Sequence, residues 1–489
     1  MKVLLVAPAK DNSSGLAQFP PIGLGYLATA LRRAGYLDVD ILDCLAEGLD
    51  LDGFSRRLEA ERPDVVGITT WSLSVGDVAE SLRVTREILP KAVTVIGGPH
   101  PSAIGPGVLD DFPLADYAFR GEAEAGLPLL VDLVSGKAGV GPEDIPGLMW
   151  KEVAGKGGEE KGVRGSGGDV PENVLRETPQ AFVDDLDRLG LPSWDLIRPE
   201  RYALAGSLIR KGTACIVTTR GCPFPCTFCS AYLTAGRRVR RRSVEDVIRE
   251  IRLLMDNHGI RRFVVFDENI TFHHDHIKGI CRAVINEGLD IEFELPNGIR
   301  LDTLDMDLLT LMRRAGFSER VAVGIESGSE RVLKLMKKGL TKEKIREKVD
   351  LLNRAGFRPI GYFILGFPTE TRSEMEETVS FAISLRLYRA GFMPFHPLPG
   401  TESYRVLVER GELPAGFDFT RLSTDSVPYA PEGLTPGELE GIRKRAVLRF
   451  NLRPRVLFDY VRDYNSLRFA MKKFRSIFLV DRRRTAAAA

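Results

Sequence analysis

Three cysteines fall within eight residues of this 489-residue chain: Cys222, Cys226 and Cys229, in Thr218-Thr-Arg-Gly-Cys222-Pro-Phe-Pro-Cys226-Thr-Phe-Cys229-Ser. Thiolates are soft ligands that select iron–sulfur clusters, zinc or copper, and a Cys-x3-Cys-x2-Cys run delivers three from one short loop. A closed structural site wants four, and the chain contains no second Cys-x-x-Cys. The simplest chemistry is therefore a metal centre with one position left open to a reactant. A structural zinc would need a fourth ligand from elsewhere, and the neighbouring Cys215 falls inside the preceding strand. A disulfide with a spare thiol is disfavoured in a chain of 6 cysteines that opens without a hydrophobic signal segment, because reducing compartments do not keep such bonds. Cys44 and Cys281 read as small buried hydrophobes.

The elements that position such a loop follow from the hydrophobic pattern. Two successive βα beats are legible, each alternating β-branched runs with amphipathic helices, the pattern of parallel strands with helical crossovers. The first predicts strands at 2–7, 39–42, 65–69, 93–96 and 117–119, with a helix carrying Leu24, Leu27, Ala28 and Leu31 on one face and another at 78–89. This is a small doubly wound domain, whose ligands sit at the carboxyl ends of its strands. The second beat predicts strands at 213–219, 262–266, 291–295, 322–325, 360–365 and 391–395. Six units suggest a partial barrel that works at the carboxyl ends of its strands, and the cysteine loop follows the first of them. Ser243 and Asp246 read as a capping box for the helix after that loop.

Domain boundaries follow: 1–145 for the doubly wound domain, 146–204 for a connector, 205–400 for the barrel and 401–485 for a C-terminal helical region. Residues 153–179, rich in Gly, Lys and Glu, read as a hairpin tip or flexible linker, and Trp194 as a packing anchor. Gly23-Leu-Gly25-Tyr-Leu-Ala28 formally matches a dinucleotide fingerprint, with Asp43 at the expected distance. It follows Pro20-Pro21 rather than a strand, so it reads as a helix start.

The cysteine spacing, with Phe228 directly before the third cysteine, resembles the signature of the radical S-adenosylmethionine superfamily. Val323-Gly-Ile-Glu-Ser-Gly, Phe363-Ile-Leu-Gly-Phe-Pro-Thr-Glu and Pro397-Leu-Pro-Gly-Thr-Glu fit the same family. Upstream, Pro20-Pro-Ile-Gly-Leu-Gly-Tyr-Leu-Ala, Val65-Val-Gly-Ile-Thr, Val95-Ile-Gly-Gly-Pro-His and Arg120-Gly-Glu-Ala-Glu together resemble the cobalamin-binding domain that precedes many such enzymes. The resemblance implies a 4Fe-4S cluster on Cys222, Cys226 and Cys229, with S-adenosylmethionine on the fourth iron. It implies a cofactor cradle of Phe228, Asp267, Glu268, Asn269, Arg300, Glu326 and Leu365: the 267–269 tip for the methionine ammonium, Arg300 for its carboxylate, Glu326 for ribose or ammonium, and the Leu365 turn beside adenine. It implies cobalamin against Thr70, Ser72, Gly97, Gly98, Gly121 and Glu122. The Asp-x-His-x-x-Gly element that coordinates cobalt elsewhere is absent, so His100, after a strand in Gly-Gly-Pro-His, reads either as a turn histidine or as a cobalt ligand, and the resemblance implies cobalt without a lower histidine ligand.

The activity implied is radical C-methylation of an unactivated carbon in a small-molecule or lipid substrate, fed by an external donor of the flavodoxin or ferredoxin type. Its alternatives are cyclisation, carbon–carbon coupling or oxidation without methyl transfer, and a non-catalytic cobalamin-binding regulator. Other clusters read blandly: His273, His274 and His276 as solvated helix-start residues, and the run Arg237 to Arg242 as a solvated face or a steering patch for anions. With 68 basic and 67 acidic residues the whole chain has no pull toward nucleic acid, which is not expected as a partner. Residues 441–489, with 14 Arg or Lys against 3 Asp and seven interleaved aromatics, read either as a surface for anionic membrane or lipid, or as a helical cap on the barrel. No apolar run reaches the ~20 residues of a membrane span, so a cytoplasmic protein, with membrane association through this segment, is expected.

Overall fold

The structure is a computed structural model and describes residues 1–8, 19–137, 139–153, 173–202, 212–414, 416–423 and 426–464. Strands β1 (Val3–Ala7), β2 (Val39–Asp43), β3 (Val65–Thr69), β4 (Val93–Gly97) and β5 (Tyr117–Phe119) pair in parallel in the order 2-1-3-4-5. Their β-branched runs are covered on both faces, as parallel strands with helical crossovers must be. The order reverses between β1 and β3, which makes their carboxyl ends the natural ligand edge.

The sheet runs further than the sequence predicts. β6 (Leu148–Val153) and β7 (Asn173–Glu177) add two antiparallel strands beyond β5, so both arms of the segment read as a linker belong to this sheet. Leu148 and Met149 are fully buried there, a short apolar signal outweighed in sequence by the Gly- and Lys-rich residues 154–172, which lie outside the described residues. In the stretch that mimics a dinucleotide fingerprint, Gly25 serves packing instead. A Cβ on Gly25 would run into Ile197 and Pro192, so the helix Ile22–Arg33 and the connector touch backbone to side chain.

The second unit contains β8 (Thr213–Ile216), β9 (Arg262–Val265), β10 (Glu292–Glu294), β11 (Arg320–Glu326), β12 (Arg358–Leu365) and β13 (Arg389–Pro394). β10-β9-β8 and β11-β12-β13 are parallel sheets, and the parallel bridges Phe293–Phe317 and Ile299–Val323 join them into one six-strand partial barrel. Outward residues make the core: Phe293 stacks on Phe317, and Phe363 on Phe392. By register, Ile360, Tyr362 and Ile364 of β12 then share the inner face with Gly391 and Met393 of β13.

Two C-terminal helices, Pro436–Asn451 and Pro454–Tyr464, dock on the barrel, where Phe450 meets Phe392 edge-on. Asp459 and Asp463 pair with Arg358 at 3.2 and 3.1 Å, and Asp463 with Arg389 at 3.4 Å, at the amino ends of β12 and β13. The described part of the basic segment is thus a cap held by its acids; residues 465–489 lie outside the described residues. Among the described residues no helix is long and apolar enough to cross a membrane.

Between the two units lies a buried ionic layer. Arg240, 4% exposed, grips Glu122 with both terminal nitrogens at 2.8 and 2.7 Å. Arg220 bridges Glu122 at 3.2 Å and Glu124 at 2.8 Å. Arg242, 2% exposed, pairs with Asp246 and Glu250, and Glu250 also accepts from the indole of Trp194 at 2.9 Å. This corrects two expectations. Within the run 237–242, Arg240 and Arg242 are internal braces rather than a solvated face, and Glu122 is occupied by guanidinium groups instead of facing a corrin. Burial opposes the Glu122 charge, but the hydrogen bonds from Arg240 and the charge of Arg220 hold its carboxyl below the usual range.

Removing one partner of such a buried set strands the others. Glu122→Ala is therefore expected to cost ~3–5 kcal/mol, read as a lower thermal midpoint and faster proteolysis of the connector between the units. Arg83→Ala, in an exposed pair, should leave the midpoint unmoved. Equal effects of the two substitutions would show that the layer does not join the units.

Candidate active site

The cysteine loop is positioned by a single buried carboxylate. Asp267, at the tip of β9, accepts from the Thr218 amide at 2.7 Å, the Thr218 hydroxyl at 2.6 Å and the Thr219 hydroxyl at 2.8 Å, tying the end of β8 to the end of β9. With both oxygens engaged, Asp267 buttresses the loop and does not face a cofactor. Gly221 then turns the chain at φ +106°, where a Cβ would strike the Arg238 carbonyl. The loop is pinned further by Cys222 amide to Gly236 carbonyl at 3.0 Å, and by Thr227 to the Met336 and Leu335 carbonyls. Phe228 packs into an apolar cluster with Met336, Phe367, Phe395 and Leu407.

Cys222, Cys226 and Cys229 are free thiols, each partly accessible. Burial pushes the Cys229 thiol up to about 11 and raises Cys222, and the neighbouring cysteines add to both shifts. Iron would offset that cost and make the thiolates favourable. Among the described residues no three potential ligands converge closely enough for a single metal ion. Three thiolates presented by one loop suit a cluster in which each takes its own iron.

Around the loop the strand tips bring together the other predicted residues. Glu268 accepts from the Gly221 amide at 3.1 Å, and burial pushes its carboxyl up to about 7. Asn269 is buried, and its Nδ2 has no hydrogen-bond partner among the described residues. An orphaned donor beside a carboxylate of raised pKa fits a zwitterionic amino-acid moiety, the ammonium on Glu268 and the carboxylate on Asn269. Arg300 differs from expectation: its fork holds Asp302 at 3.0 and 2.9 Å, so its carboxylate partner is supplied by the chain. Glu326, at φ +69° beside a bulge, accepts from Lys338 at 2.8 Å, with both side chains buried. Leu365 is fully buried, which leaves only backbone to border a ligand there.

The edge of the first sheet gathers Thr70, Ser72, Gly97, Gly98 and Gly121. The Thr70 amide donates to the Gly97 carbonyl at 2.7 Å, Gly98 takes φ +107° against Thr70, and the Gly121 amide donates to Ser102 at 2.9 Å. Glycine-rich tips beside a switch point fit a flat macrocycle. His100 is 1% exposed, its Nδ1 bonded to Ser72 at 3.1 Å and its ring edge-on to Phe112 and Phe419; burial lowers it to about 4. The ring is thus enclosed between those two aromatic side chains. His276, expected in solvent, is 4% exposed instead, because the helix His274–Asn286 turns it inward.

Sequence reasoning missed Lys338 and Glu370. Glu370 accepts from the Gly366 and Phe367 amides at 2.7 and 3.1 Å, and burial pushes its carboxyl up to about 8. Its signal was present in Gly366-Phe-Pro-Thr-Glu370, a turn whose closing acid lies within reach of its own amides. Lys338 carries no motif, and it meets Glu326 only through folding.

Residues 216–382 match the radical SAM superfamily and residues 14–131 the B12 binding domain. An uncharacterized methyltransferase of Pyrococcus horikoshii is 30% identical over 468 residues, 95% of each chain. The cytidylyl-2-hydroxyethylphosphonate methyltransferase of Streptomyces wedmorensis is 31% identical over 455 residues, 86% of this chain and 83% of its own. Among solved structures, the radical S-adenosylmethionine methyltransferase TsrM from Kitasatospora setae, with cobalamin and a [4Fe-4S] cluster bound, aligns with a TM-score of 0.65 at 21% identity, over 84% of this chain and 75% of its own.

Proposed function

Because this chain belongs to the B12-binding branch of the radical SAM superfamily, we propose that it is a cobalamin-dependent C-methyltransferase acting on an unactivated carbon of a small-molecule or lipid substrate. The observation that carries this reading is the meeting of two ligand edges, the tips of β1 to β5 and those of the barrel, joined by the Glu122–Arg240 pair. When bound, the cluster supplies the electron that cleaves S-adenosylmethionine, and cobalamin supplies the methyl group. The chain holds, orients and shields these groups. Cys222, Cys226 and Cys229 anchor the cluster; Glu268 takes the methionine ammonium and Asn269 its carboxylate. Thr70, Ser72, Gly97 and Gly98 face the corrin.

The substrate meets an apolar inner wall. Tyr362 and Met393 are 38% and 45% exposed on the inner face, and Tyr362 lies across the bare backbone of Gly391. Such a wall suits an alkyl carbon and keeps water from it. Radical SAM enzymes need a reductant, here a carrier of the flavodoxin or ferredoxin type. Its approach is a groove of about 590 Å³ lined by Pro225, Cys226, Tyr232, Arg237 and Arg405, which brings one of the three thiols to its wall. Leu448, Leu452, Leu457 and Phe458 are exposed on the C-terminal helices, and burial together with the charge of Arg386 pushes the Arg455 guanidinium down. An apolar ridge in a crowd of cations favours contact with an anionic lipid surface from the cytoplasmic side.

The function is tested anaerobically with reduced flavodoxin, hydroxocobalamin and methyl-labelled S-adenosylmethionine. Expected are about four irons per chain, labelled methylcobalamin and 5′-deoxyadenosine. The Cys222, Cys226 and Cys229 to Ala triple variant should lose the iron, and iron retained there sinks the assignment. 5′-Deoxyadenosine without labelled cobalamin points to a radical reaction other than methylation, while turnover with dithionite but not flavodoxin removes the proposed donor. Only ionised Glu268 attracts an ammonium, so S-adenosylmethionine binding should weaken as pH falls through about 7. Glu268→Gln should weaken it about tenfold or more and flatten that pH dependence; an unchanged profile assigns the ammonium elsewhere. Finally, Leu452→Glu with Phe458→Glu should abolish co-sedimentation with phosphatidylglycerol vesicles; persistence would locate the contact outside these helices.

A further inference from the structure

The Arg300 guanidinium is immobilised from four directions. Its Nε and Nη2 hold Asp302 at 3.0 and 2.9 Å, Nη2 also donates to the Lys338 carbonyl at 2.7 Å, and the group lies over the Phe224 ring at 3.6 Å from the centroid. The residue is 9% exposed. One nitrogen is left over: Nη1 lies 3.7 Å from the sulfur of Cys226, within hydrogen-bond range for so large an acceptor. No carboxylate of a ligand is needed to explain the fork, and nothing in the fold requires that its free corner meet a thiol.

We propose that Arg300 tunes the cluster electrostatically, donating an N–H···S hydrogen bond to the Cys226 thiolate and raising the reduction potential of the centre. This rests on the cluster reading above. One-electron reduction, from the 2+ to the 1+ state with the electron given up by the reduced carrier, adds a negative charge to the cluster and its thiolates. A fixed positive charge and a sulfur-directed donor stabilise the reduced state more than the oxidised one. Asp302 works in the opposite sense, since its carboxylate offsets part of the guanidinium charge. It is also the more accessible partner, with 28% of its side chain exposed against 10% for Arg300. The pair acts as a graded cation whose strength is set by the carboxylate behind it. Arg300 is thus assigned to the metal centre rather than to S-adenosylmethionine.

The test is an EPR-monitored redox titration of the reconstituted full chain without substrate. Arg300→Gln keeps a donor but removes the charge. At a fixed poise its ratio of reduced to oxidised cluster should fall about tenfold, equivalent to ~59 mV for one electron, with iron content unchanged. Asp302→Asn removes the opposing charge and should move the ratio the other way by a smaller factor. A merely structural pair would shift both variants in one direction, and that outcome overturns the proposal, as does an unshifted Arg300→Gln with its cluster intact. Should Arg300→Gln fail to load iron, the sign of the Asp302→Asn shift decides alone. A wild-type chain that loads no iron refutes the cluster reading itself, a separate result.

Discussion

A guanidinium buried between two sheets is tolerable only when its N–H groups meet acceptors of matching geometry. Arg240 makes four such bonds, two to Glu122 and one each to the carbonyls of Val183 and Ala235. Those four acceptors belong to the first domain's edge, the connector and the helix after the cysteine loop. This side chain and its neighbour Arg220, which stands two residues before Cys222, give the relation between the two sheets a directional tie. Chemistry that needs two cofactors in one space depends on that registration. A hydrophobic contact of equal area would hold the units together without specifying their angle, because it has no preferred direction.

The same economy recurs around the thiols. Asp267 takes up three donors at the end of β8, Glu268 one at Gly221, and Glu370 two at the turn after β12. Each carboxylate at a strand tip closes a loop by accepting backbone amides. Glu268 alone keeps both raised basicity and an adjacent orphaned donor, which separates the binding acid from the structural ones. Sequence treats these acids alike, since all follow a β-branched run.

What the sequence discloses is governed by how local each signal is. Strand and helix periodicity is local, so both βα beats lie within a few residues of their expected places, and the cysteine spacing is wholly local. Pairing across long separations is not. The partner of Glu122 lies 118 residues away at Arg240, and the run around Arg240 reads as a charged surface because burial of alternate arginines leaves no trace without the facing acids. Arg300 shows the converse: its true partner Asp302 stands two residues on, visible in sequence, yet a guanidinium at a strand tip suits either an internal or an external carboxylate. β6 was hidden by the Gly- and Lys-rich sequence that follows it, whose composition outweighs four apolar residues. The basic tail reads as a single segment, although Asp459 and Asp463 anchor its first part to barrel arginines.

The ionic layer also bears on modularity. Chains of this architecture look like two cassettes in series, which invites the idea that either half can be exchanged. Here a grafted N-terminal half would have to bring a carboxylate to the position of Glu122, with a second at Glu124. Otherwise it would leave Arg240 and Arg220 enclosed without counter-charge, and the cysteine loop would lose the support of its immediate upstream neighbour. The two halves can therefore diversify in the residues that face their ligands, but they must be inherited as a matched set along the seam.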